Sequence, residues 1–369
     1  MKHSLKYMDI VTWAKEQIAV GAFQPGRKFF SETKLGEVFG FSRQTVRRAL
    51  EELEESGYIM RVKGSGTYIT EALPPSGIKS PVSGSVSKVI GIISTHLDAY
   101  IFPSIIEGIE KVLNAAGYIT LLTSTKNKPE GELRALQLML DRDLDGLIVE
   151  PTKSGLPCLN MEQYKTIAQR GTPIVFIDTS FPEFPAPYVA LDDEEVGYTA
   201  TKYLLEKGHK EIAGLFTFSD RQGQLRYKGY ARALKDHGLG VSEERILWYS
   251  KEIMLQSLYS KELWEMLSGC SAAFCYNDSL ALLLRNLLQQ KGRRVPEDFS
   301  LVGVDNSELA QLNSLTSIVH PGSKLGEAAA DLLLSMIQGS EGMSILFPPA
   351  LVERNSVCIK ENKDGKGNQ

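Results

Sequence analysis

The chain has 369 residues, of which 43% are hydrophobic and 23% charged, and its formal net charge is −4. The length predicts two or three domains, and the composition is typical of a globular protein without low-complexity tracts. No apolar stretch approaches the roughly 20 residues of a membrane span, and the first residues lack the apolar core of a signal peptide. We therefore expect a cytoplasmic protein with no membrane partner.

Charge is distributed unevenly along the chain. Residues 1–70 contain 11 lysines and arginines against 8 acidic residues, whereas the remainder contains 30 against 37. A small basic module joined to a larger acidic one indicates an anionic partner for the first. The four cysteines have no metal-type spacing, so we expect free thiols, no metal and no cofactor.

Residues 1–70 predict three helices followed by a hairpin. Apolar residues recur at helical spacing in YMDIVTWAKEQIAVG, SETKLGEVFG and SRQTVRRALEELEESG, and the strands YIMRV and TYIT flank the turn KGSG. The short turn Gly40–Ser42 joins the second and third helices. The segment therefore predicts a winged helix-turn-helix whose third helix enters the major groove of DNA.

The third helix carries its charges in an unfavourable order. Arg43, Arg47 and Arg48 lie near its N-terminus and four glutamates follow, although a helix dipole favours acids first and bases last. DNA phosphates would supply the counter-charge, and arginine and glutamine can read guanine and adenine edges. The alternative is a solvated face with i,i+4 ion pairs, each worth only about 0.2–0.5 kcal/mol. The candidate DNA contacts are Ser31, Thr33, Lys34, Ser42, Arg43, Gln44, Thr45, Arg47, Arg48, Lys63 and Gly64.

A linker rich in proline, glycine and serine, residues 71–87, separates this module from residues 88–361, and a polar tail, 362–369, is expected to fray. After the linker, short apolar strands alternate with helices of ten to fifteen residues, which indicates βαβ units and parallel sheets. The strands suffice for a two-lobed, doubly wound α/β domain, whose ligands bind beyond the carboxyl ends of the strands. We expect its lobes at residues 88–192 with 320–339, and at 193–319 with 340–361.

The first module resembles the GntR-type winged helices. The stretches SETKL, FSRQTVRRAL and GSGTYI match the usual run of that family. By position, the resemblance implies DNA contacts at Arg43, Thr45, Arg47 and Gly64. Thr33 departs from the family, which often has arginine there, so a contact is lost or replaced by Lys34.

Residues 88–358 resemble the effector domains of the LacI/GalR family, which are similar to periplasmic sugar-binding proteins of type I. The stretches VIGIIS, DGLIVEP, RYKGYARAL, YNDSLAL and RVPEDFSLVGVDN carry the resemblance. It implies that a sugar binds to Arg226 and Asp278 and that Phe102 covers its apolar face. The alternatives are a purely structural ion pair between Arg226 and Asp278, and a structural role for His320. The candidate effector residues are Tyr100, Phe102, Glu150, Asp178, Gln222, Arg226, Asp278, Asp305 and His320.

The pairing of these two parts resembles the arabinose-responsive repressors of Gram-positive bacteria. It implies that L-arabinose releases the protein from operator DNA, with another pentose or hexose as the alternative. Two DNA-binding modules on two half-sites imply a homodimer. An enzyme is a further alternative, but no GxGxxG follows the first strand of the larger domain and no nucleophile–base constellation stands out, so we expect no catalytic function. A sugar receptor for transport disagrees with the DNA-binding module and with the apparent lack of a signal peptide.

Overall fold

The computed structural model describes residues 6–19, 23, 26–62, 65–70, 87–97 and 101–360. The chain divides into two compact units, residues 1–85, here called the head, and residues 86–369, here called the body. The candidate residues Lys63, Gly64 and Tyr100 lie outside the described residues, as do positions 71–86 and 361–369. None of the described helices is long and apolar enough to cross a membrane.

The head contains three helices and a two-stranded antiparallel sheet. Its elements are α1 (Lys6–Ala19), α2 (Glu32–Phe39), α3 (Arg43–Glu55), β1 (Ile59–Val62) and β2 (Gly66–Ile69). Serine N-caps begin two of the helices: Ser31 accepts from the Lys34 amide at 3.2 Å, and Ser42 accepts from the Thr45 amide at 3.3 Å. Gly40 follows α2 with a φ of 66°, a left-handed conformation that glycine adopts readily, and so turns the chain into α3.

An apolar core orients α3 within the head. Leu50 of α3 is buried with Ile10 of α1, Leu35 of α2 and Ile69 of β2. The ring of Trp13 packs against three phenylalanine rings, with ring centroids 5.2 to 5.9 Å apart. Because this core takes the apolar side of α3, the charged side of the helix is left to solvent or to a partner.

The first sheet of the body has six parallel strands. Two of its strands, β5 (Gly146–Val149) and β6 (Ile174–Ile177), are buried at every residue, which explains their continuous apolar sequences. The elements of this part are, in chain order, β3 (Val89–Ser94), α4 (Phe102–Ala115), β4 (Ile119–Ser124), α5 (Pro129–Leu140), β5 (Gly146–Val149), α6 (Met161–Gln169), β6 (Ile174–Ile177) and β7 (Tyr188–Leu191).

The chain then builds a second sheet with its own helices. Its parallel strands are again mostly apolar and buried. The elements are α7 (Asp193–Glu206), β8 (Ile212–Thr217), α8 (Arg221–Asp236), a 3₁₀ turn (Glu243–Arg245), β9 (Ile246–Tyr249), α9 (Met254–Leu258), α10 (Lys261–Ser268), β10 (Ala272–Cys275), α11 (Asp278–Gln290), β11 (Ser300–Asp305), α12 (Glu308–Leu312) and β12 (Thr316–Val319).

The last elements return to both lobes. They are α13 (Ser323–Ile337), which packs on α4 of the first lobe, β13 (Ile345–Phe347) and β14 (Leu351–Val352). Strand β14 pairs antiparallel with β12, but β13 pairs in parallel with β7 of the first sheet. The expectation that all of residues 340–361 belong to the second lobe is therefore wrong for β13. The physical reason is that β13 covers the edge of β7, which would otherwise be unpaired.

The two sheets share one topology. Their strand orders are β13-β7-β6-β5-β3-β4 and β14-β12-β11-β10-β8-β9. In each sheet the chain reverses its direction of winding, between β3 and β5 in the first and between β8 and β10 in the second, and ligands bind at such switch points. The predicted architecture, a winged helix-turn-helix joined to a two-lobed doubly wound α/β domain, is confirmed.

Candidate effector site and DNA-binding surface

A cavity of about 80 Å³ lies at the carboxyl ends of both sheets of the body. That volume accommodates roughly five to eight water-sized groups, which suits a small polar ligand. The structure brings seven predicted residues together here: Phe102, Glu150, Asp178, Gln222, Arg226, Asp305 and His320. The other lining residues are Thr95, Ile101, Asn127, Pro151, Ser154, Asp220, Lys251, Tyr276 and Asn277.

Arg226 of α8 is a buried cation at the cavity. Its Nε donates to Asp193 Oδ1 at 2.7 Å, and a terminal nitrogen donates to the Tyr276 carbonyl oxygen at 2.5 Å. Burial acts to lower the pKa of Arg226, but the charge of Asp193 raises it, so the guanidinium remains charged. Burial raises the pKa of Asp193 to about 6 against the attraction of Arg226, which leaves the carboxylate ionised at neutral pH.

Asp178 joins the two lobes at the cavity wall. Its Oδ1 lies 2.9 Å from His320 Nε2, and its Oδ2 accepts from Gln222 Nε2 at 2.9 Å. Burial acts to raise the pKa of Asp178, but the hydrogen bond and charge of His320 hold it below its usual value. Burial likewise acts to lower the pKa of His320, and the contact with Asp178 raises it. Each group therefore favours the charged form of the other, while His320 Nδ1 accepts from the Gly322 amide at 3.1 Å.

Gln222 leaves one polar atom unused at this site. Its Nε2 is committed to Asp178, and its Oε1 is buried without a hydrogen-bond partner among the described residues. Buried polar atoms without a partner are rare in folded proteins because they lose their hydration. Gln222 Oε1 is therefore an acceptor suited to a hydroxyl group of a ligand.

Glu150 is a buried carboxyl at the end of β5. It accepts hydrogen bonds from the amide and the hydroxyl of Thr95, each at 2.5 Å, and from the Ser94 hydroxyl at 3.1 Å. Burial and the charge of Asp178 raise the pKa of Glu150 to about 8 despite these bonds. A mostly protonated Glu150 can donate one hydrogen bond at neutral pH, which a carboxylate cannot do.

The backbone is strained at two of the predicted carboxylates. Asp178 and Asp305 have φ values of 65° and 107°, and Asn306 has a φ of 50°. Residues other than glycine rarely adopt this region, at a cost of about 1–3 kcal/mol each, and such residues cluster at functional sites. Of these three residues, Asp178 and Asp305 line the cavity.

Asp278 does not line the cavity, in contrast to its predicted place beside Arg226. Its buried carboxylate accepts from the Ser307 amide at 2.8 Å, the Ser307 hydroxyl at 2.9 Å and the Ser317 hydroxyl at 2.6 Å. These bonds hold the loop after β11. Asn277, the preceding residue, lines the cavity instead.

The structural alternative, an ion pair between Arg226 and Asp278, is likewise not what the structure has. Asp193 at the start of α7, and not Asp278, forms the buried ion pair with Arg226. The acidic run at the start of α7 is typical of any helix N-terminus, so it gave no signal of this role. Asp220 follows β8. It could therefore have been found by the rule that ligands bind beyond the carboxyl ends of parallel strands, here called the strand-end rule. Asn127 and Lys251 follow the outer strands β4 and β9, where the rule gives a weaker signal.

The N-terminal half of α3 exposes its cations. The Arg43 side chain is 89% exposed, with its Nε 3.3 Å from Glu32 Oε2, and the Arg47 side chain is 67% exposed, with its Nε 3.4 Å from Glu51 Oε1. Gln44 is also exposed. Exposed ion pairs contribute about 0–1 kcal/mol, so either arginine can exchange its glutamate for a phosphate at little cost.

Most of the other predicted DNA contacts that the structure describes have partners within the head. Arg48 lies over the ring of Tyr7 of α1, 4.5 Å from its centroid. Lys34 pairs with Glu37 at 3.2 Å, and neighbouring Thr33 is exposed. The hydroxyls of Ser31, Ser42 and Thr45 lie at the starts of α2 and α3, where the two serines act as N-caps.

Two sequence models of protein families match the chain. The model described as "Bacterial regulatory proteins, gntR family" matches residues 6–69, which lie in the head. The model described as "Periplasmic binding protein-like domain" matches residues 201–357 of the body.

Relatives match the chain over nearly its full length. An "Arabinose metabolism transcriptional repressor" of Halalkalibacterium halodurans is 37% identical over 98% of both chains. A repressor of the same name from Geobacillus stearothermophilus is 36% identical over 95% of this chain and 97% of its own.

Solved structures of regulators match about three quarters of the chain. The transcription regulator CcpA of Lactococcus lactis has a TM-score of 0.65 and 25% identity, covering 73% of this chain and 98% of its own. A LacI family regulator from Enterococcus faecium with bound ribose has a TM-score of 0.61 and 25% identity, covering 74% and 100%. These relatives are regulators and not enzymes. The chain therefore belongs to the family of sugar-responsive transcriptional repressors in which a GntR-type head binds operator DNA and a LacI/GalR-like body binds the effector.

Proposed function

We propose that this repressor is released from its operator by L-arabinose and acts as a homodimer in the bacterial cytoplasm. The observation that carries the effector proposal is the full-length likeness to two arabinose metabolism repressors. The polar cavity of the body supports it, because every hydroxyl of a sugar is both a donor and an acceptor.

The cavity offers both kinds of partner to a monosaccharide. Arg226 donates hydrogen bonds, Asp178 accepts them, and Gln222 Oε1 is an acceptor without a protein partner. Phe102 lies at the wall, where an aromatic ring can cover the apolar face of a pyranose. We assign sugar binding to these residues together with Glu150, Asp305, His320 and Asn277, while Asp278 positions the loop after β11.

In the head, we assign DNA contacts to the exposed N-terminal half of α3. Arg43 and Arg47 are the cations whose weak ion pairs phosphates or guanine edges can replace. Gln44 and Thr45 are the neutral candidates for base or phosphate contacts. Lys34, which lies on α2, is a candidate for a phosphate contact.

The body carries exposed apolar side chains that suit a second copy of the chain. Leu309 and Leu312 of α12 are 51% and 74% exposed, and Tyr259 after α9 is 69% exposed. A dimer also places two heads on two half-sites of an operator. In sedimentation equilibrium we expect a mass of about twice 40.8 kDa, which Leu312→Glu reduces to the monomer value. Leu159→Glu, at a residue that is 78% exposed, is the matched control and leaves the dimer intact.

Sugar and DNA binding are negatively coupled in this proposal. The sugar favours a closed arrangement of the two lobes, and that arrangement binds the operator less well. Because coupling between sites is reciprocal, operator DNA weakens the affinity for sugar by the same factor. Operator binding measured with and without sugar, and sugar binding measured with and without operator, must give equal ratios.

A screen of pentoses and hexoses tests the effector. Each sugar is added to the full-length protein, and its thermal unfolding is followed, because a ligand that binds only the folded state raises the midpoint. We expect L-arabinose to give the largest shift and to release operator DNA in a fluorescence anisotropy assay. A larger shift with ribose or another sugar would reassign the effector, and a shift without DNA release would contradict the role of inducer.

A further inference from the structure

The two lobes of the body also contact each other along one edge of the effector cavity. Loops that follow β4 and β5 of the first lobe meet loops that follow β8 and β9 of the second. Lys153 forms an ion pair with Glu252, and the Arg221 amide donates to Ser154 Oγ at 3.0 Å. We call this contact the clasp; its residues are Lys153, Ser154 and Gly155 on one side and Ser219, Arg221, Gln224 and Glu252 on the other.

Gly155 allows a close approach of two backbones within the clasp. Its amide donates to the Ser219 carbonyl oxygen at 2.9 Å, and its own carbonyl oxygen accepts from Gln224 Nε2 at 2.8 Å. A Cβ atom on this residue would lie 2.6 Å from the Phe218 carbonyl oxygen and 2.9 Å from the Ser219 carbonyl carbon. Because the contacted atoms belong to the backbone of the facing lobe, a loop must shift to admit a Cβ atom, which opposes the approach of the two lobes. Glycine is therefore required where the lobes meet.

The first-lobe side of the clasp is held in a strained conformation. Lys126, Asn127 and Lys153 have φ values of 54°, 52° and 50°. Asn127 Oδ1 accepts from the Lys153 amide at 2.9 Å, which ties the loop after β4 to the loop after β5. Asn127 Nδ2 also donates to Asp220 Oδ1 of the second lobe at 3.3 Å. Strained residues persist where surrounding contacts fix them, and here those contacts include the facing lobe.

Charge supports the same contact. The Lys153 side chain is 17% exposed and the Glu252 side chain 55% exposed, so the pair lies at the rim of the interface. The hydrogen bond from Lys153 lowers the pKa of Glu252 to about 2. Lys153, Gly155 and Glu252 are not among the residues that line the cavity.

We propose that the clasp sets the effector affinity by stabilising the closed arrangement of the two lobes, with Gly155 as the residue that permits closure. The inference rests on the proposed function, because it takes the cavity to be the sugar site. A change at Gly155, Lys153 or Glu252 then acts on closure without removing a contact to the sugar. The affinity falls mainly because the sugar leaves faster from lobes that close incompletely.

Titration calorimetry of full-length variants with L-arabinose tests the proposal. We expect Gly155→Ala to raise the Kd about tenfold or more, since an added methyl group in a packed contact is strongly unfavourable. Gly240→Ala is the matched control, because no atom lies within 4 Å of its Cβ position, and it leaves the Kd unchanged. Lys153→Ala and Glu252→Ala each raise the Kd about two- to fivefold. The double variant Lys153→Glu with Glu252→Lys, which exchanges the two charges, restores the Kd of the unaltered protein.

A second measurement needs no sugar. Hydrogen exchange of the segments 150–156 and 218–224 reports on the clasp directly, because amides of Gly155 and Arg221 donate across it. We expect faster exchange in both segments of Gly155→Ala than in Gly240→Ala, with the same thermal midpoint for the two variants. Equal hydrogen exchange in Gly155→Ala and Gly240→Ala, or equal Kd values of the two variants for L-arabinose, would overturn the proposal that the clasp sets the effector affinity. Failure of the unaltered protein to bind L-arabinose overturns the effector assignment instead.

Discussion

Arginine serves the head and the body in opposite ways. On α3, Arg43 and Arg47 are 89% and 67% exposed and pair with glutamates at 3.3 to 3.4 Å. In the body, the Arg226 side chain is only 5% exposed and pairs with Asp193 at 2.7 Å. Exposed pairs contribute little to stability, whereas breaking a buried pair by removing one partner is costly.

In the roles proposed above, the difference decides how each arginine would meet its ligand. The head arginines are held loosely by glutamates that a polyanion can displace, so a contact with DNA would cost little. Arg226 is fixed before any ligand arrives, and its unused donors are presented in one orientation. A preorganised group loses less entropy on binding, which favours discrimination between similar sugars.

Removing the buried cation is expected to have the largest effect. Arg226→Met leaves Asp193 buried without its partner, so we expect a loss of about 3–5 kcal/mol in the free energy of unfolding. The loss is greater above pH 6, where Asp193 is ionised, than below it. Urea denaturation at pH 5.5 and pH 8 measures both. The double variant Asp193→Leu with Arg226→Met should recover much of the stability and still not respond to sugar; equal stability of wild type and Arg226→Met would contradict the comparison.

Removing an exposed cation of α3 is expected to change DNA binding and leave stability almost untouched. For Arg47→Ala we expect a loss of about 1–3 kcal/mol in the free energy of operator binding. If Arg47 contacts a phosphate, the slope of the logarithm of the binding constant against the logarithm of the salt concentration also decreases by about one. Anisotropy titrations at several salt concentrations measure this. Glu51→Ala removes the partner of Arg47 and is the control, because it keeps the cation and should bind DNA at least as well as the unaltered protein. Unchanged affinity of Arg47→Ala would remove Arg47 from the interface.

The pH dependence of stability in the body tests the buried carboxyl of Glu150. The pKa of Glu150 is raised to about 8, so the folded state holds a proton that the unfolded state releases near pH 4.5. The proton on Glu150 stabilises the folded state fully at low pH. This contribution to the free energy of unfolding declines as the pH rises toward 8, by at most about 1.4 kcal/mol per pH unit. Glu150→Gln should therefore lose less stability than the unaltered protein between pH 5 and pH 8 in urea denaturation. Parallel pH profiles for the two proteins would show that Glu150 is ionised when buried.

Much of this organisation could be predicted from the sequence. Periodicity and turn residues predicted the three helices and the hairpin of the head, and alternating apolar strands and helices predicted the two-lobed body. The strand-end rule found Glu150, Asp178 and Gln222, because parallel strands all end at one edge of a sheet.

The errors come from interactions between residues that are distant in the sequence. Whether Asn277 or Asp278 faces the cavity depends on Ser307 and Ser317, which attract the Asp278 carboxylate away from it. The partner of Arg226 is fixed by the packing of α7 against α8. Strand β13 has only three residues, too few for periodicity to assign it to a sheet.

The unpartnered Oε1 of Gln222 has a consequence for which metabolites the regulator ignores. A site built around a buried acceptor rejects a molecule that lacks the matching hydroxyl far more strongly than a hydrophobic pocket rejects a missing methylene. We therefore expect deoxy sugars and methyl ethers modified at that hydroxyl to fail as inducers even when they fit the cavity. Such discrimination would keep the repressor on its operator in a mixture of near-identical sugars that lack that hydroxyl.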